Sequence, residues 1–350
     1  MGLFKSMLKD SESLFINEMA LDIDYMPEII KYRENQQQHM ATCIKPLLQN
    51  RNGKNLFIIG SPGIGKTVAT RFILNELNKE SDDVKTIYIN CWKADTGFKI
   101  ANEICEQLGY KWVHNKHTDE LLRDVAKIIN KNAAVVVLDE VDKLKEPEII
   151  YTLLEDINRK CIFLITNEDE LLNELDLRIR SRLMAETLKF KFYNYNETEG
   201  ILKQRVDYAF VKNVWENEAF KTIVDKTYEL GDIRAGLYLM KEAGLLAERD
   251  SLKSITKKHA EMAIEKLGKF KVKKSSDLDD EGKELLKLIE LNSGKQLNEV
   301  YELYKGRNKK SYRTFRRKIE QLKKGKLIYT IGEIGKPSIV KYGNKKLSDF

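Results

Sequence analysis

Between residues 55 and 193 the apolar positions alternate between two patterns. "NLFIIG", "VKTIYINC", "AAVVVLDE", "CIFLITN" and "AETLKFKFY" are runs of strand length. "KTVATRFILNELNK", "FKIANEICEQLG", "DELLRDVAKIINK" and "EIIYTLLEDIN" lie among them with helical spacing. Strands this apolar are buried on both faces, and their alternation with helices implies a mostly parallel sheet. The pattern predicts an α/β domain over 1–195, opened by an N-terminal arm. In that arm Pro27 is placed to start a helical turn, with Ile29, Ile30, His39, Met40 and Leu47 as its apolar positions. From 196 to 270 the spacing is helical throughout, from "TEGILKQRVDYAF" to "TKKHAEMAIEKLG". Charge and serine in "KFKVKKSSDLDD" predict a break there and a linker over 271–280. A last domain over 281–350 reads as three helices and a hairpin.

Charge sets this last domain apart. Residues 291–350 hold 16 Lys+Arg against 5 Asp+Glu, a net +11, whereas the rest of the chain is net negative. Such asymmetry points to a polyanion partner for the tail and not for the body, the plain alternative being a solvated lysine-rich surface. On "NKKSYRTFRRKIEQLKKG", Tyr312, Phe315, Ile319 and Leu322 share one helical face, and Lys310, Arg313, Arg316 and Arg317 share the opposite one. A helix with a buried stripe and a basic face suits a DNA major groove, and the hairpin loop around Lys336 would be a wing reaching a minor groove.

The remaining composition mostly excludes. Cys43, Cys91, Cys105 and Cys161 are scattered, and His39, His114, His117 and His259 show no metal-ligand clustering with them. This fits a reducing cytoplasm. No apolar run approaches membrane-spanning length, and no secretory segment is present, so no membrane partner is expected. The opening "MGLFKS" formally fits an N-myristoylation pattern, though an ordinary amphipathic start is the simpler reading.

Candidate chemistry begins at "GSPGIGKT", which satisfies G-x-x-x-x-G-K-[ST] between a strand and a helix. Gly60, Pro62, Gly63, Ile64, Gly65, Lys66, Thr67 and Val68 would wrap a polyphosphate. Backbone N–H groups and the helix N-terminus favour the anion, Lys66 reaches the β- and γ-phosphates, and the Thr67 hydroxyl ligates Mg²⁺. "VVVLDEVD" supplies the complement: Asp139 to hold hydrated Mg²⁺, and Glu140 to orient the attacking water. Asn167 ends "CIFLITN", where strand ends converge on the phosphate site; an N-cap role for the next helix competes with a catalytic one. "LDLRIRSRL" offers Arg178, Arg180 and Arg182, which cannot all reach one phosphate, so some serve the surface or a neighbouring subunit's nucleotide. Arg234, in "GDIRAGL", could report nucleotide state from the helical region.

In their order, "GSPGIGKT", "VVVLDEVD", "LITN", "RIRSRL" and "GDIRAG" resemble the Walker A, Walker B, sensor 1, arginine-finger and sensor 2 motifs of AAA+ ATPases. More narrowly, "LDIDYMPEIIKYRENQ", "INCWKADTGFKIANEICEQLG", "FKFYNYNETEGILKQR" and the tail resemble archaeal origin-recognition replication initiators across nearly the whole chain. "FKFY" departs from the family's proline-containing version, and "YGNKKLSDF" is an extra tail. The resemblance implies an AAA+ P-loop domain with a helical lid and a C-terminal winged helix. It implies ATP or ADP with Mg²⁺ as cofactors, Asn167 as sensor 1, Arg234 as sensor 2, Arg182 as the trans finger, and Tyr193 and Arg205 near the nucleotide. It further implies a slow ATPase used as a switch, origin duplex DNA, the replicative helicase and further initiator protomers as partners, and a cytoplasmic, nucleoid-associated location. A signalling ATPase whose winged helix serves interaction or transcription, and a clamp-loader subunit, are the competing functions.

Overall fold

Seven consecutive buried residues, Ala133–Asp139, form the strand β3. They are flanked on one side by β2 (Val84–Asn90) and on the other by β4 (Lys160–Thr166), then β1 (Leu56–Ile59) and β5 (Glu186–Lys189). All four pairings are parallel. A computed structural model describes residues 13–111, 116–276, 279–308, 311–324, 327–331 and 339–342. Its described residues divide into two units, 13–214 with 231–241, and 215–230 with those from 242 onward.

In the first unit the sheet is covered on both faces, as its apolar strands require. Phe57 and Ile59 of β1 join a core with α3 (Gly97–Gln107), α4 (Thr118–Ile129), α5 (Glu148–Asp156) and α7 (Leu177–Leu183). Leu56 and Ile58, one residue out of phase, join a second core with α1 (Glu34–Ile44) and α2 (Lys66–Glu80). The short helix α6 (Leu171–Glu174) and α8 (Tyr195–Ala209) also belong to this unit, as does the start of α10 (Ile233–Arg249). Because β1 lies between β4 and β5, the turn leaving it opens at the point where the strand order reverses, which is where such sheets bind ligands.

The N-terminal helix starts later than Pro27 suggests: α1 begins at Glu34, after Tyr32 adopts a left-handed φ of 64°. That turn breaks the stripe expected from Ile29 onward. Ile29 is exposed, whereas Ile30, Met40 and Leu47 are buried.

The second unit contains α9 (Asn217–Leu230) and α11 (Lys257–Ser276), which pack together, and the remainder of α10. No break precedes Ser276; α11 continues through most of the expected linker. Lysines and two serines without Gly or Pro carry charge but no strong helix breaker. The tail then forms α12 (Asp280–Leu291), α13 (Leu297–Asn308), α14 (Tyr312–Lys324) and an antiparallel pair, β6 (Ile328–Ile331) and β7 (Ile339–Tyr342). Its core contains Leu285, Ile289, Val300, Tyr304, Phe315, Ile319, Leu322 and Val340. The myristoylation-like opening, His114, Lys310, the loop around Lys336 and the extra tail after Tyr342 lie outside the described residues.

Candidate functional site

The turn from β1 into α2 is shaped by two glycines. Gly63 has φ 78°, and an added Cβ there would fall 1.9 Å from Asp232 Oδ1. Gly65 has φ 90°, with the Tyr193 hydroxyl 2.8 Å from where its Cβ would be. Both positions therefore demand glycine twice over, for conformation and for space. Pro62 lies in the same turn, and Val68 in the first turn of α2.

Lys66 is almost wholly buried at the head of α2. Its ammonium donates to the carbonyls of Gly60 (2.7 Å) and Ser61 (2.9 Å) and to Asn167 Oδ1 (2.7 Å). Burial, above all, pushes its pKa down to about 8. The neighbouring Thr67 hydroxyl donates to Asp139 Oδ2 over 2.6 Å. The backbone N–H of Glu140 donates to Asp139 Oδ1 over 2.8 Å. Glu140 itself sits at φ 55°, a left-handed conformation costly for a side chain with a Cβ. Burial, then the charges of Asp139 and Asp142, raises its carboxyl pKa.

Thus Lys66, Thr67, Asp139, Glu140 and Asn167, drawn from two strand ends and one helix, meet at one place. Thr67 and Asp139 offer two hard oxygen ligands already in contact, a donor set that suits Mg²⁺. The buried ammonium and the backbone of the turn suit a polyphosphate. Arg234 arrives from the start of α10, its guanidinium gripped by Asp232 through Nε–Oδ1 (3.0 Å) and Nη2–Oδ2 (2.8 Å). The Ile233 N–H donates to the Gly63 carbonyl over 3.2 Å, so the head of α10 is docked on the turn itself.

Residues 49–180 match a family model described as an AAA domain, and residues 199–265 match one described as a Cdc6 AAA+ ATPase-type lid domain. An ORC1-type DNA replication protein 2 of Methanothermobacter thermautotrophicus is 30% identical over 344 residues, spanning 93% of this chain and 90% of the relative. The chain belongs to the ORC1-type DNA replication proteins. An ORC1-type DNA replication protein 1 of Sulfurisphaera tokodaii is 33% identical over 263 residues, 71% of this chain and 66% of that one. Among solved structures, the Aeropyrum pernix ORC2 protein in its ADPNP–ADP complexes superposes with TM-score 0.74 at 20% identity, covering 95% of this chain and 94% of that one. The Aeropyrum pernix ORC1 protein in complex with DNA gives 0.70 at 23% identity, covering 96% and 95%. This ORC1-type chain is therefore an AAA+ ATPase of the replication-initiator family, using ATP or ADP with Mg²⁺, and its C-terminal helices and hairpin form a winged-helix subdomain. Among the described residues no helix is long and apolar enough to cross a membrane.

Other expected site residues of the ORC1-type chain are placed less centrally. Tyr193 is buried against the turn, its ring 3.8 Å from the Arg33 guanidinium. Arg205 is buried too, but it donates to the Ala20 carbonyl over 3.1 Å and lies 5.2 Å from the Tyr25 ring centre. A buried guanidinium needs an acceptor, and the N-terminal segment supplies one. In the arginine box, Arg178 is held by Asp176, and Arg182 pairs with Glu155 over the Tyr151 ring. Arg180 Nε is shielded and has no hydrogen-bond partner. In the winged helix, Phe315, Ile319 and Leu322 are buried while Arg313, Arg316 and Arg317 are exposed, as the helical spacing predicts. Tyr312 lies at the rim, stacked edge-on against Tyr301 at 4.8 Å.

Three residues at the nucleotide site escape a reading of motifs. Arg33 donates to the carbonyls of Ile64 (2.9 Å) and Lys191 (2.7 Å), bridging the turn to the segment before Tyr193. Tyr88 donates from its hydroxyl to Asp139 Oδ2 over 2.6 Å. Asp232 holds Arg234. Arg33 and Asp232 each stand inside a stretch whose resemblance is plain, but nothing in their spacing separates them from surface charge. Tyr88 could have been noticed as the one aromatic hydroxyl on β2, beside the strand that ends in Asp139.

Proposed function

We propose that this protein is an ATP-switched replication initiator that binds origin duplex DNA and recruits the replicative helicase, working with further protomers of its kind in the nucleoid. The observation that carries the reading is the convergence of Lys66, Thr67, Asp139 and Asn167 beside Arg234, in a chain that also presents three exposed arginines on one winged-helix face. In this reading the AAA+ domain covers 1–195, the lid 196–270 and the winged helix 281–350, joined over 271–280.

Gly60 to Val68 and Lys66 hold the polyphosphate, and Tyr193 with Arg33 closes the turn from behind. Thr67 and Asp139 hold Mg²⁺, which on binding neutralises phosphate charge and aligns the transferred group. Glu140 orients water and accepts its proton; its raised carboxyl pKa suits that task. Asn167 fixes Lys66 and reaches toward the γ-phosphate, Arg234 senses that phosphate, and Arg182 acts on a neighbour's nucleotide. Arg205 braces the N-terminal segment through the Ala20 carbonyl and the Tyr25 ring. Turnover is slow, because a switch needs two long-lived states. The basic face of Arg313, Arg316 and Arg317, with Lys310 and the wing around Lys336, reads duplex DNA.

A genomic footprint of the purified protein with ATP, with ADP and without nucleotide tests this reading. Protection of a discrete duplex near a replication start, altered by nucleotide, is expected. Uniform, nucleotide-independent protection would favour the signalling or clamp-loading alternatives.

A further inference from the structure

On the sheet face covered by α1 and α2, away from the P-loop, three different metal-ligating side chains come together. His39 and Cys43 stand four residues apart on α1 and so share one face. Glu186 opens β5 opposite them. One ligating atom from each lies within 4.8 Å of the others. His39 Nε2 is 3.1 Å from Glu186 Oε2. That nitrogen is shielded from solvent, yet the approach is not aligned as a hydrogen bond and it has no other partner. The Cys43 thiol is buried, and burial followed by the Glu186 charge pushes its pKa up to about 11.

We propose that His39, Cys43 and Glu186 form a site for a zinc-class divalent transition metal, with water in the fourth position. Bond lengths of about 2.0–2.3 Å place neighbouring ligands of a tetrahedral zinc roughly 3.3–3.7 Å apart. The His39–Glu186 pair, at 3.1 Å, sits slightly closer than that range, and Cys43 Sγ, within 4.8 Å of both, has to close by roughly 1–1.5 Å. A thiolate and an imidazole select zinc or cobalt over Mg²⁺, so this site is chemically distinct from the oxygen pair at Thr67 and Asp139. Metal binding releases the thiol proton to solvent.

Two neighbours modulate it. Lys54 Nζ holds the other Glu186 oxygen at 2.8 Å and opposes a second cation. The buried Cys161 thiol contacts the carbonyls of Lys54 (3.0 Å) and Cys43 (3.8 Å) and leaves the Cys43 sulfur free to ligate. The bound ion joins α1 to β5. Arg33, the residue before α1, carries that link to the Ile64 carbonyl in the P-loop. Zinc would thus brace the N-terminal helix against the sheet beside the nucleotide site. This does not depend on the initiator reading, since it concerns residues outside the ATPase motifs.

The test is a cobalt titration of the full chain, reduced with a phosphine and freed of other metals. One equivalent should produce a thiolate-to-cobalt charge-transfer band with intense tetrahedral visible bands, and zinc should abolish both. Cys43→Ser should remove the charge-transfer band, whereas Cys91→Ser and Cys105→Ser should keep it. His39→Ala, at a half-exposed position, should weaken cobalt binding at least about tenfold. Lys54→Gln should tighten it. No charge-transfer band in the wild type, or a band that survives Cys43→Ser or is untouched by His39→Ala, would overturn the site. Circular dichroism on each variant separates lost binding from lost fold.

Discussion

The Tyr88 hydroxyl and the Thr67 hydroxyl converge on one atom, Asp139 Oδ2, each over 2.6 Å. Tyr88 is in turn covered by Arg71, whose guanidinium lies 5.1 Å from its ring centre. Burial, then the Asp139 charge, then this hydrogen bond raises the phenol far above its ordinary pKa, so it remains a donor at any working pH. With the Glu140 N–H on Oδ1, the carboxylate plane is fixed before Mg²⁺ arrives. In the proposed site Thr67 and Asp139 would hold the ion, and the Tyr88 hydrogen bond would keep the Asp139 carboxylate in place. Tyr88→Phe should therefore raise the Mg²⁺ concentration needed for half-maximal ATP hydrolysis by about 10- to 100-fold, the scale of one hydrogen bond to a charged group. Nucleotide affinity without Mg²⁺ should stay the same. An unshifted Mg²⁺ dependence would show that Tyr88 only packs.

In the proposed mechanism phosphate grip and water orientation fall on different residues. Lys66→Ala should remove most nucleotide binding, since it deletes the buried ammonium and orphans the Gly60 and Ser61 carbonyls. Glu140→Gln should bind nucleotide like the wild type and lose hydrolysis by about 100-fold or more. Fluorescent-nucleotide titration and phosphate release measure the two effects separately. Hydrolysis that persists in the Glu140 variant would take Glu140 out of the reaction.

These contacts show what a sequence can and cannot announce. The runs Leu56–Ile59 and Ala133–Asp139 are apolar at every position up to the final Asp139, so their burial on two faces and the parallel sheet were legible at once. The P-loop was equally plain, because glycine at 63 and 65 answers a backbone demand that no other residue meets. The start of α1 was not legible, because it depends on a left-handed Tyr32, which no local rule favours. Nor was the link between Tyr88 and Asp139, because it needs β2 to pair with β3 so that Tyr88 stands opposite Val137, two residues before Asp139. The grouping of His39 with Cys43 was overlooked although four-residue spacing on a helix could have revealed it; Glu186 joins them only in three dimensions.

The depressed pKa of Lys66 has a consequence for binding. Its value of about 8 lies below that of a free lysine, so between about 8 and 10.4 the native protein lacks a proton that the unfolded chain holds. The sign follows: this group makes the nucleotide-free protein more stable as pH rises through that window, because a neutral amine is easier to bury. A bound polyphosphate restores the charge, so binding above about pH 8 should take up close to one proton, and binding near pH 6.5 almost none from this residue. Calorimetry in buffers of different ionisation enthalpy reads the uptake directly. Lys66→Arg, always charged, should abolish the difference; equal uptake at both pH values in the wild type would refute the linkage.

Arg182 is engaged with Glu155 and Tyr151 on its own surface. An action on another protomer's nucleotide requires it to leave that pair. Arg182→Ala alone should hydrolyse ATP at least about 100-fold more slowly, the loss expected for one preorganised transition-state donor. Mixing it with Lys66→Ala protein should restore part of the activity, since one partner supplies the nucleotide and the other the arginine. Wild-type activity of Arg182→Ala at every protein concentration would exclude a finger role.

The winged helix offers an internal comparison. Arg313 and Arg317 lie one turn apart on the exposed face of α14, whereas Lys318, the next residue, is buried and paired with Asp279 and, at 3.7 Å, Glu281. All three are cations on one helix, yet only the first two are free to meet DNA. Counterion release makes log K fall with log[salt] by roughly 0.9 per neutralised phosphate. Replacing a phosphate-contacting arginine should therefore reduce that slope by about one on every duplex. Replacing one that reads a base edge should cost about 1–3 kcal/mol on the specific site and much less on random DNA. Lys318→Gln should leave the slope unchanged and instead lower thermal stability, because it strands the acidic pair around Asp279. Fluorescence-anisotropy salt series on Arg313→Ala, Arg317→Ala and Lys318→Gln, with origin and random duplexes, distinguish these outcomes. If the two arginine variants keep the wild-type slope and site preference, the basic face of α14 is not the DNA-reading surface, and the net positive charge of residues 291–350 acts elsewhere.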